Sequence, residues 1–226
     1  MLTPAQCAVL FDNDGVIVDT AEGHFQSFAA LGEEEGYTIT REQFAGLFGR
    51  HNRDIFPILL GHPLPEEDIA RLADRKEALF RELVTGRITA LPGVLTLLPA
   101  LKAAGFHVAM GTSTPRANVD LILGALGLAA CFDAIVSAED VTRGKPDPQV
   151  FLLGADRLGM PPAHCVVVED AVAGVQAAKA GGMKALAVTT NHPREALAQA
   201  DRVVDSLAEV GPEDFLVLLA DEQRPS

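Results

Sequence analysis

Apolar and polar positions follow two rhythms along this chain. From residue 91 onward, stretches with apolar residues three and four apart alternate with short unbroken apolar runs. Val94–Ala104, Ala117–Leu126, Gln149–Leu158 and Val172–Ala180 have the helical spacing. Phe106–Thr112, Ala134–Ser137, Cys165–Val168, Ala185–Val188 and Arg202–Val204 read as strands. This alternation predicts an α/β fold, a Rossmann-like, doubly wound parallel sheet with helices on both faces. The first strand, Ala8–Phe11, stands far from the others. Between it and Leu91, Ala21–Glu35, Arg41–Leu47, Asp54–Leu60 and Glu66–Leu83 have helical spacing and little strand character. The expected organisation is therefore a core of residues 1–18 and 90–226 with a helical domain, 19–89, inserted after the first strand. Leu91-Pro92-Gly93 marks the return, and hinges are expected there and near Val18–Thr20. Residues 222–226 read as a frayed tail, and the chain has no internal repeat.

Composition narrows the partners. The 226 residues, 48% hydrophobic, suffice for a well-buried core. A formal net charge of −13 argues against binding a nucleic-acid backbone over a broad surface, while leaving room for a small anion at a local positive site. Cys7, Cys131 and Cys165 are odd in number and far apart, which opposes a disulfide framework or a paired-cysteine metal site, and all three read as core or near-core thiols. No apolar run approaches the ~18 residues of a membrane span, and no basic segment followed by an apolar one opens the chain. The expectation is a cytoplasmic protein, a monomer, with no membrane partner.

The candidate chemistry starts at Val9-Leu10-Phe11-Asp12-Asn13-Asp14-Gly15, where a β-forming run delivers two carboxylates to a glycine turn. A calcium loop of the EF-hand type needs its glycine sixth, and Gly15 stands fourth from Asp12. In an open parallel sheet the ligand sits beyond the carboxyl ends of the strands. The residues just after the predicted strands are Asp12 and Asp14, then Gly111-Thr112-Ser113, then Glu169-Asp170, with Gly144-Lys145-Pro146 in the loop after Ala134–Ser137. Carboxylates from separate loops suit Mg²⁺, a hard cation that keeps water and takes substrate phosphate oxygens; Asp12, Asp14 and Asp170 are the natural set, with Glu169 beside them. Asp12, directly at the strand end, is the better nucleophile toward phosphorus, and Asp14 suits general acid–base work. Thr112 can bond the transferring phosphoryl oxygens and Lys145 can neutralise their charge. Taken singly, Lys145 reads as a solvated loop residue, Glu169-Asp170 as an acidic helix start, and Thr112-Ser113-Thr114-Pro115 as an N-cap. Their convergence at one sheet edge favours the chemical reading.

These four segments, in this order, resemble the motifs of the haloacid dehalogenase superfamily, the class with an α-helical cap after the first strand. Asp12-x-Asp14-Gly15-Val16 matches the first motif, Thr112 the second, Lys145 the third and Glu169-Asp170 the fourth. Dehalogenases proper lack the second aspartate, so Asp14 points to phosphoryl transfer. Within the superfamily, Asp19-Thr20-Ala21-Glu22-x-His24-Phe25 and Leu72-Ala73-x-Arg75-Lys76 are similar to the β-phosphoglucomutase group and its phosphatase relatives. The resemblance implies that His24 and Lys76 help place a sugar phosphate; without it, His24 reads as a packed helix residue and Lys76 as part of a solvated helix face. It also implies substrate-binding roles for Thr20, Gly49, Arg50, Asn52, Arg53, Ser113, Thr114 and Arg116. One departure matters. Mutases of this type carry a cap arginine in a Gly-x-x-Arg pattern, and this sequence reads Gly49-Arg50-His51-Asn52-Arg53, with Asn52 at the matching position. Either Arg50 or Arg53 substitutes from a shifted position, or the cap no longer holds a bisphosphate. The leading expectation is a Mg²⁺-dependent phosphatase of a small phosphorylated metabolite, a sugar or polyol phosphate, through an aspartyl-phosphate. A phosphohexomutase is the alternative and a non-catalytic binding protein the remote one.

Overall fold

The computed structural model describes residues 2–48 and 50–220. They form two compact units, one of Met1–Asp19 with Thr89–Ser226 and one of Thr20–Ile88. The first unit holds six parallel strands: β1 (Ala8–Phe11), β2 (His107–Gly111), β3 (Ala134–Val136), β4 (Cys165–Glu169), β5 (Lys184–Val188) and β6 (Arg202–Val204). Their order is β3-β2-β1-β4-β5-β6, so the chain runs outward from β1 in one direction and then resumes on its other side at β4. β1 is the centre: Leu10 pairs with Ala109 of β2 and Val167 of β4. A parallel sheet covered on both faces must be apolar on both, which explains why Ala8–Phe11 and Cys165–Val168 are unbroken buried runs.

The second unit is four helices, α1 (Ala21–Glu35), α2 (Arg41–Leu47), α3 (Asn52–Leu60) and α4 (Glu66–Val84). Phe28, Leu31, Phe44, Leu47, Phe56, Leu72 and Leu79 make its core. Thr40 and Gln43 cap α2 reciprocally, the threonine hydroxyl accepting from Gln43 N and the Gln43 side chain accepting from Thr40 N. α3 begins two residues before the predicted start, which puts Asn52 and Arg53 in its first turn. Their polar side chains carry no apolar periodicity to announce a helix.

Back in the sheet unit follow α5 (Val94–Ala104), α6 (Arg116–Leu126), α7 (Gln149–Arg157), α8 (Val172–Ala180) and α9 (Pro212–Ala220). Val150, Phe151 and Ala155 of α7 and Val175, Ala177 and Ala178 of α8 pack with Ala8, Leu10, Ala109, Cys165, Val167, Ala185 and Ala187 on one sheet face. Side chains alternate along a strand, so Val9, Phe11, Val108, Met110, Val166 and Val168 serve the other face, where α5 lies beside β2 and α9 beside β4. No helix among the described residues is long and apolar enough to cross a membrane. Where the chain leaves and re-enters this unit, Leu91 N donates to Ile17 O at 2.9 Å and Val18 bridges Ala90 antiparallel.

The three-residue outer strands are held by one device used twice. Asp133, just before β3, donates its N–H to Val108 O and accepts Val108 N–H at 2.9 Å, while Lys102 at the end of α5 reaches both its oxygens at 2.5 and 2.6 Å. Asp201, just before β6, donates to Ala185 O and accepts Ala185 N–H at 2.8 Å, with Lys179 at the end of α8 at 2.9 and 2.7 Å. Each aspartate continues the ladder by one rung and ties it to the helix that precedes the neighbouring strand. β1 and β4, between these anchored edges, bring their carboxyl ends to the point where the strand order reverses.

Candidate active site

β1 ends at Phe11, and Asp12 N still donates to Val168 O, so the aspartate leaves the sheet in strand conformation. A tight turn follows, with Asn13 O accepting from the amides of Val16, Ile17 and Val18. Gly15 has φ +78°, and a Cβ there would lie 2.0 Å from Asp170 Oδ2, so glycine is required by both backbone and space.

Asp12 is 8% exposed. Lys145 Nζ stands 3.0 Å from its Oδ1 as an ion pair whose angles fall short of a hydrogen bond, and 2.6 Å from Glu169 Oε1. Burial pushes Asp12 up to about 7; Lys145 opposes this, and the charges of Glu169 and Asp14 add to it. Burial alone would lower Lys145, yet Asp12 and Glu169 outweigh it and hold the ammonium above the ordinary lysine range. The lysine that reads as a solvated loop residue is thus buried, its ammonium 4.9 Å from the Phe151 ring centre. Glu169, last in β4, gives Oε2 to the amides of Asp170 and Ala171 at 2.8 and 2.9 Å. Room for it is made by Gly174 of α8, where a Cβ would fall 1.8 Å from Oε1.

Asp14 is held differently. Thr112 Oγ1 donates to Thr114 Oγ1 at 3.0 Å, Thr114 Oγ1 donates to Asp14 Oδ2, and Asn13 Nδ2 donates to Asp14 Oδ1 at 3.1 Å. Both oxygens are engaged, which fixes the orientation of this carboxylate at the sheet edge. Thr114 thereby links the second aspartate to Thr112, while Ser113 is half-buried in the same loop. Arg116 opens α6, but its Nε turns along the helix to Asp120 at 2.8 Å. Its backbone N–H is the group it gives this end of the sheet, donating to Glu139.

Asp12, Glu169 and Asp170 place carboxylate oxygens within 4.8 Å of one another, all buried; the Asp14 carboxylate is outside this group. Burial, together with Glu169 and Asp12, raises Asp170 well above the carboxylate range. Three buried oxygen donors, with Asp12 Oδ1 lacking a hydrogen bond, fit a hard divalent cation. Glu169 has both oxygens engaged by Lys145 and backbone amides, so Asp12 and Asp170 offer the better ligand atoms.

The helical unit gathers its own charged cluster. His24 stacks on Phe80 with ring centres 4.0 Å apart, and its Nδ1 is 2.6 Å from Lys76 Nζ. Lys76 is 2% exposed, against the solvated face that spacing alone suggests, and its ammonium is 2.8 Å from Glu77 Oε1. Asn52 Nδ2 donates to the same Glu77 oxygen at 2.7 Å. Burial pushes Glu77 up, but Lys76, His24 and the hydrogen bonds from Lys76 and Asn52 outweigh it and leave it at about 2. Thr20 is buried ahead of α1, its carbonyl accepting His24 N–H at 2.9 Å. Arg53 is exposed and 3.8 Å from Glu66, and Arg50 is exposed; Gly49 lies outside the described residues.

Two participants lie outside the sequence motifs. Glu77 follows Lys76 in a charged helix, and only burial distinguishes it from its neighbours. Asn191, after β5, donates Nδ2 to Asp170 Oδ2 at 2.7 Å; its place beyond a predicted strand is the signal that would have found it.

The geometry has close counterparts. A phosphorylated carbohydrates phosphatase of Thermotoga maritima is 33% identical over 94% of this chain and 97% of its own. The β-phosphoglucomutase of Bacillus subtilis is 33% identical over 82% and 84%. The crystal structure of a β-phosphoglucomutase from Clostridium difficile superposes with a TM-score of 0.87 at 28% identity, covering 98% of this chain and 99% of that one. Residues 8–182 match the family model described as haloacid dehalogenase-like hydrolase, and the chain belongs to that family.

Proposed function

We propose that the protein is a Mg²⁺-dependent phosphatase of a small sugar or polyol phosphate, working through a phosphoryl group carried on Asp12. The supporting observation is the buried Asp12 beside Lys145, with Asp14 tied through Thr114 to Thr112 at the same sheet edge. Asp12 attacks phosphorus as the ester P–O bond breaks, and the leaving oxygen takes a proton from Asp14. Asp14 then removes a proton from water, which attacks the phosphoryl group, releases inorganic phosphate and restores Asp12. Asn13 and Thr114 hold the Asp14 carboxylate in place for this exchange. Lys145 and Thr112 stabilise the charge on the transferring oxygens. Asp12 and Asp170 would hold the cation, which when bound offsets the repulsion between an anionic nucleophile and an anionic phosphate.

Substrate selection is assigned to the helical unit. At the position matching the mutase arginine, Asn52 is engaged with Glu77, which supports hydrolysis of monoesters over handling of a bisphosphate. A second reading, phosphohexomutase, is favoured by the likeness to the Bacillus subtilis enzyme. The test is phosphate release with Mg²⁺ across a panel of phosphorylated sugars and polyols. Conversion of β-glucose 1-phosphate to glucose 6-phosphate with a bisphosphate primer, in place of phosphate release, would establish the mutase.

A further inference from the structure

Asn191 belongs to none of the four motif segments, yet it and Gly15 close on one oxygen. Asn191 Nδ2 bonds Asp170 Oδ2 at 2.7 Å, and the point where a Gly15 Cβ would sit is 2.0 Å from that oxygen and 2.6 Å from Nδ2. The turn after β1 and the loop after β5 thus confine the Asp170 carboxylate from two sides. With Oδ2 committed to the amide, rotation of the carboxylate is stopped and its other oxygen remains for a ligand. On the neighbouring strand end, the Asp12 main chain is held by Val168 O and its carboxylate faces Lys145 at 3.0 Å.

We propose that Asn191 is a positioning residue that presents Asp170 to the divalent cation, a role that rests on the cation reading of the Asp12–Asp170 site. Partners of this kind, which orient a ligand without touching the metal, typically contribute about 10–100-fold in metal affinity. The loop bearing Asn191 is itself anchored: Thr189 Oγ1 donates to Asp205 at 2.9 Å, and Arg194 reaches Val203 O and Asp205 at 2.6 and 2.7 Å.

The test uses Mn²⁺ as probe on the full chain, with free Mn²⁺ read by electron paramagnetic resonance. Asn191→Ala and the nearly isosteric Asn191→Leu should weaken binding about 10–100-fold. Asn191→Gln, which keeps the amide, should recover much of the loss. In turnover, the cation concentration needed for half-activation should rise in parallel while kcat at saturating cation stays close to wild type. Wild-type affinity in both the Ala and Leu variants overturns the proposal, and so does a Gln variant as weak as Leu, since the amide would then have no part. If Ala fails to fold, Leu and Gln decide. A wild-type protein that takes up no Mn²⁺ fails the cation reading itself, a result distinct from either.

Discussion

Asp12→Asn should remove activity and make the metal-free protein more stable. The side chain is buried, and its carboxyl is moved from an ordinary 3.8 to about 7, chiefly by burial and despite Lys145. That is roughly three decades in the proton equilibrium, and at about 1.4 kcal/mol per decade the ionised form costs the fold on the order of 4 kcal/mol at pH 8. Loss of the attraction to Lys145 does not cancel the gain, because that attraction already acts in setting the value near 7. A group raised on folding contributes its full stability below the unfolded value, and loses it as pH rises through the folded one. The advantage of the asparagine variant should therefore be largest at pH 8 and shrink below about 1 kcal/mol near pH 4. With no tryptophan and one tyrosine in the chain, far-ultraviolet circular dichroism is the appropriate probe. Urea titrations in EDTA at several pH values give the difference, and added Mg²⁺ should narrow it by stabilising the wild type through binding. A variant no more stable than wild type at pH 8, or an advantage that grows as pH falls, would refute the reasoning.

Glu77 should behave in the opposite sense. Its carboxyl is lowered from 4.5 to about 2, so its contribution, on the order of 3 kcal/mol, is present above pH 4.5 and lost as pH falls toward 2. Glu77→Gln should start less stable at neutral pH and show a flatter acid profile in this window, read by thermal melting. Two helical glycines should also separate. Gly124 has nothing within 4 Å of an added Cβ, so Gly124→Ala should stabilise by about 1 kcal/mol, whereas Gly174→Ala drives a methyl into Glu169 and should lower both the melting temperature and kcat.

The strands and most helices were legible because their burial is simple. β1 and β4 are covered on both faces and read as unbroken apolar runs, and α5 to α8 carry apolar stripes. α9 is not legible from spacing, although Pro212 with Glu213 and Asp214 in its first turn is a helix start; Phe215–Leu219 is an unbroken apolar run and shows no helical period. Asp12, Asp14, Thr112, Lys145 and Glu169-Asp170 were found because each follows a strand or lies in the loop beyond one, and topology brings those places together. Spacing could not show that Lys76 is buried, because its stabilisation depends on His24 and Glu77 from the packed tertiary arrangement. Nor could it show where an arginine turns: Arg116 has the position of a ligand-binding residue and the geometry of a helix-surface ion pair with Asp120. The roles of Arg50 and Arg53 depend on the same kind of side-chain placement.

The most direct test of the central claim is to catch the phosphoryl group on Asp12. The protein is mixed with Mg²⁺ and a sugar phosphate that it turns over, quenched in acid within the first turnover, and digested for mass spectrometry. The expected result is one phosphoryl group on the peptide containing Asp12, absent from Asp12→Asn, which should also release no phosphate. Unphosphorylated Asp12 under full turnover, or undiminished phosphate release by Asp12→Asn, would contradict the account.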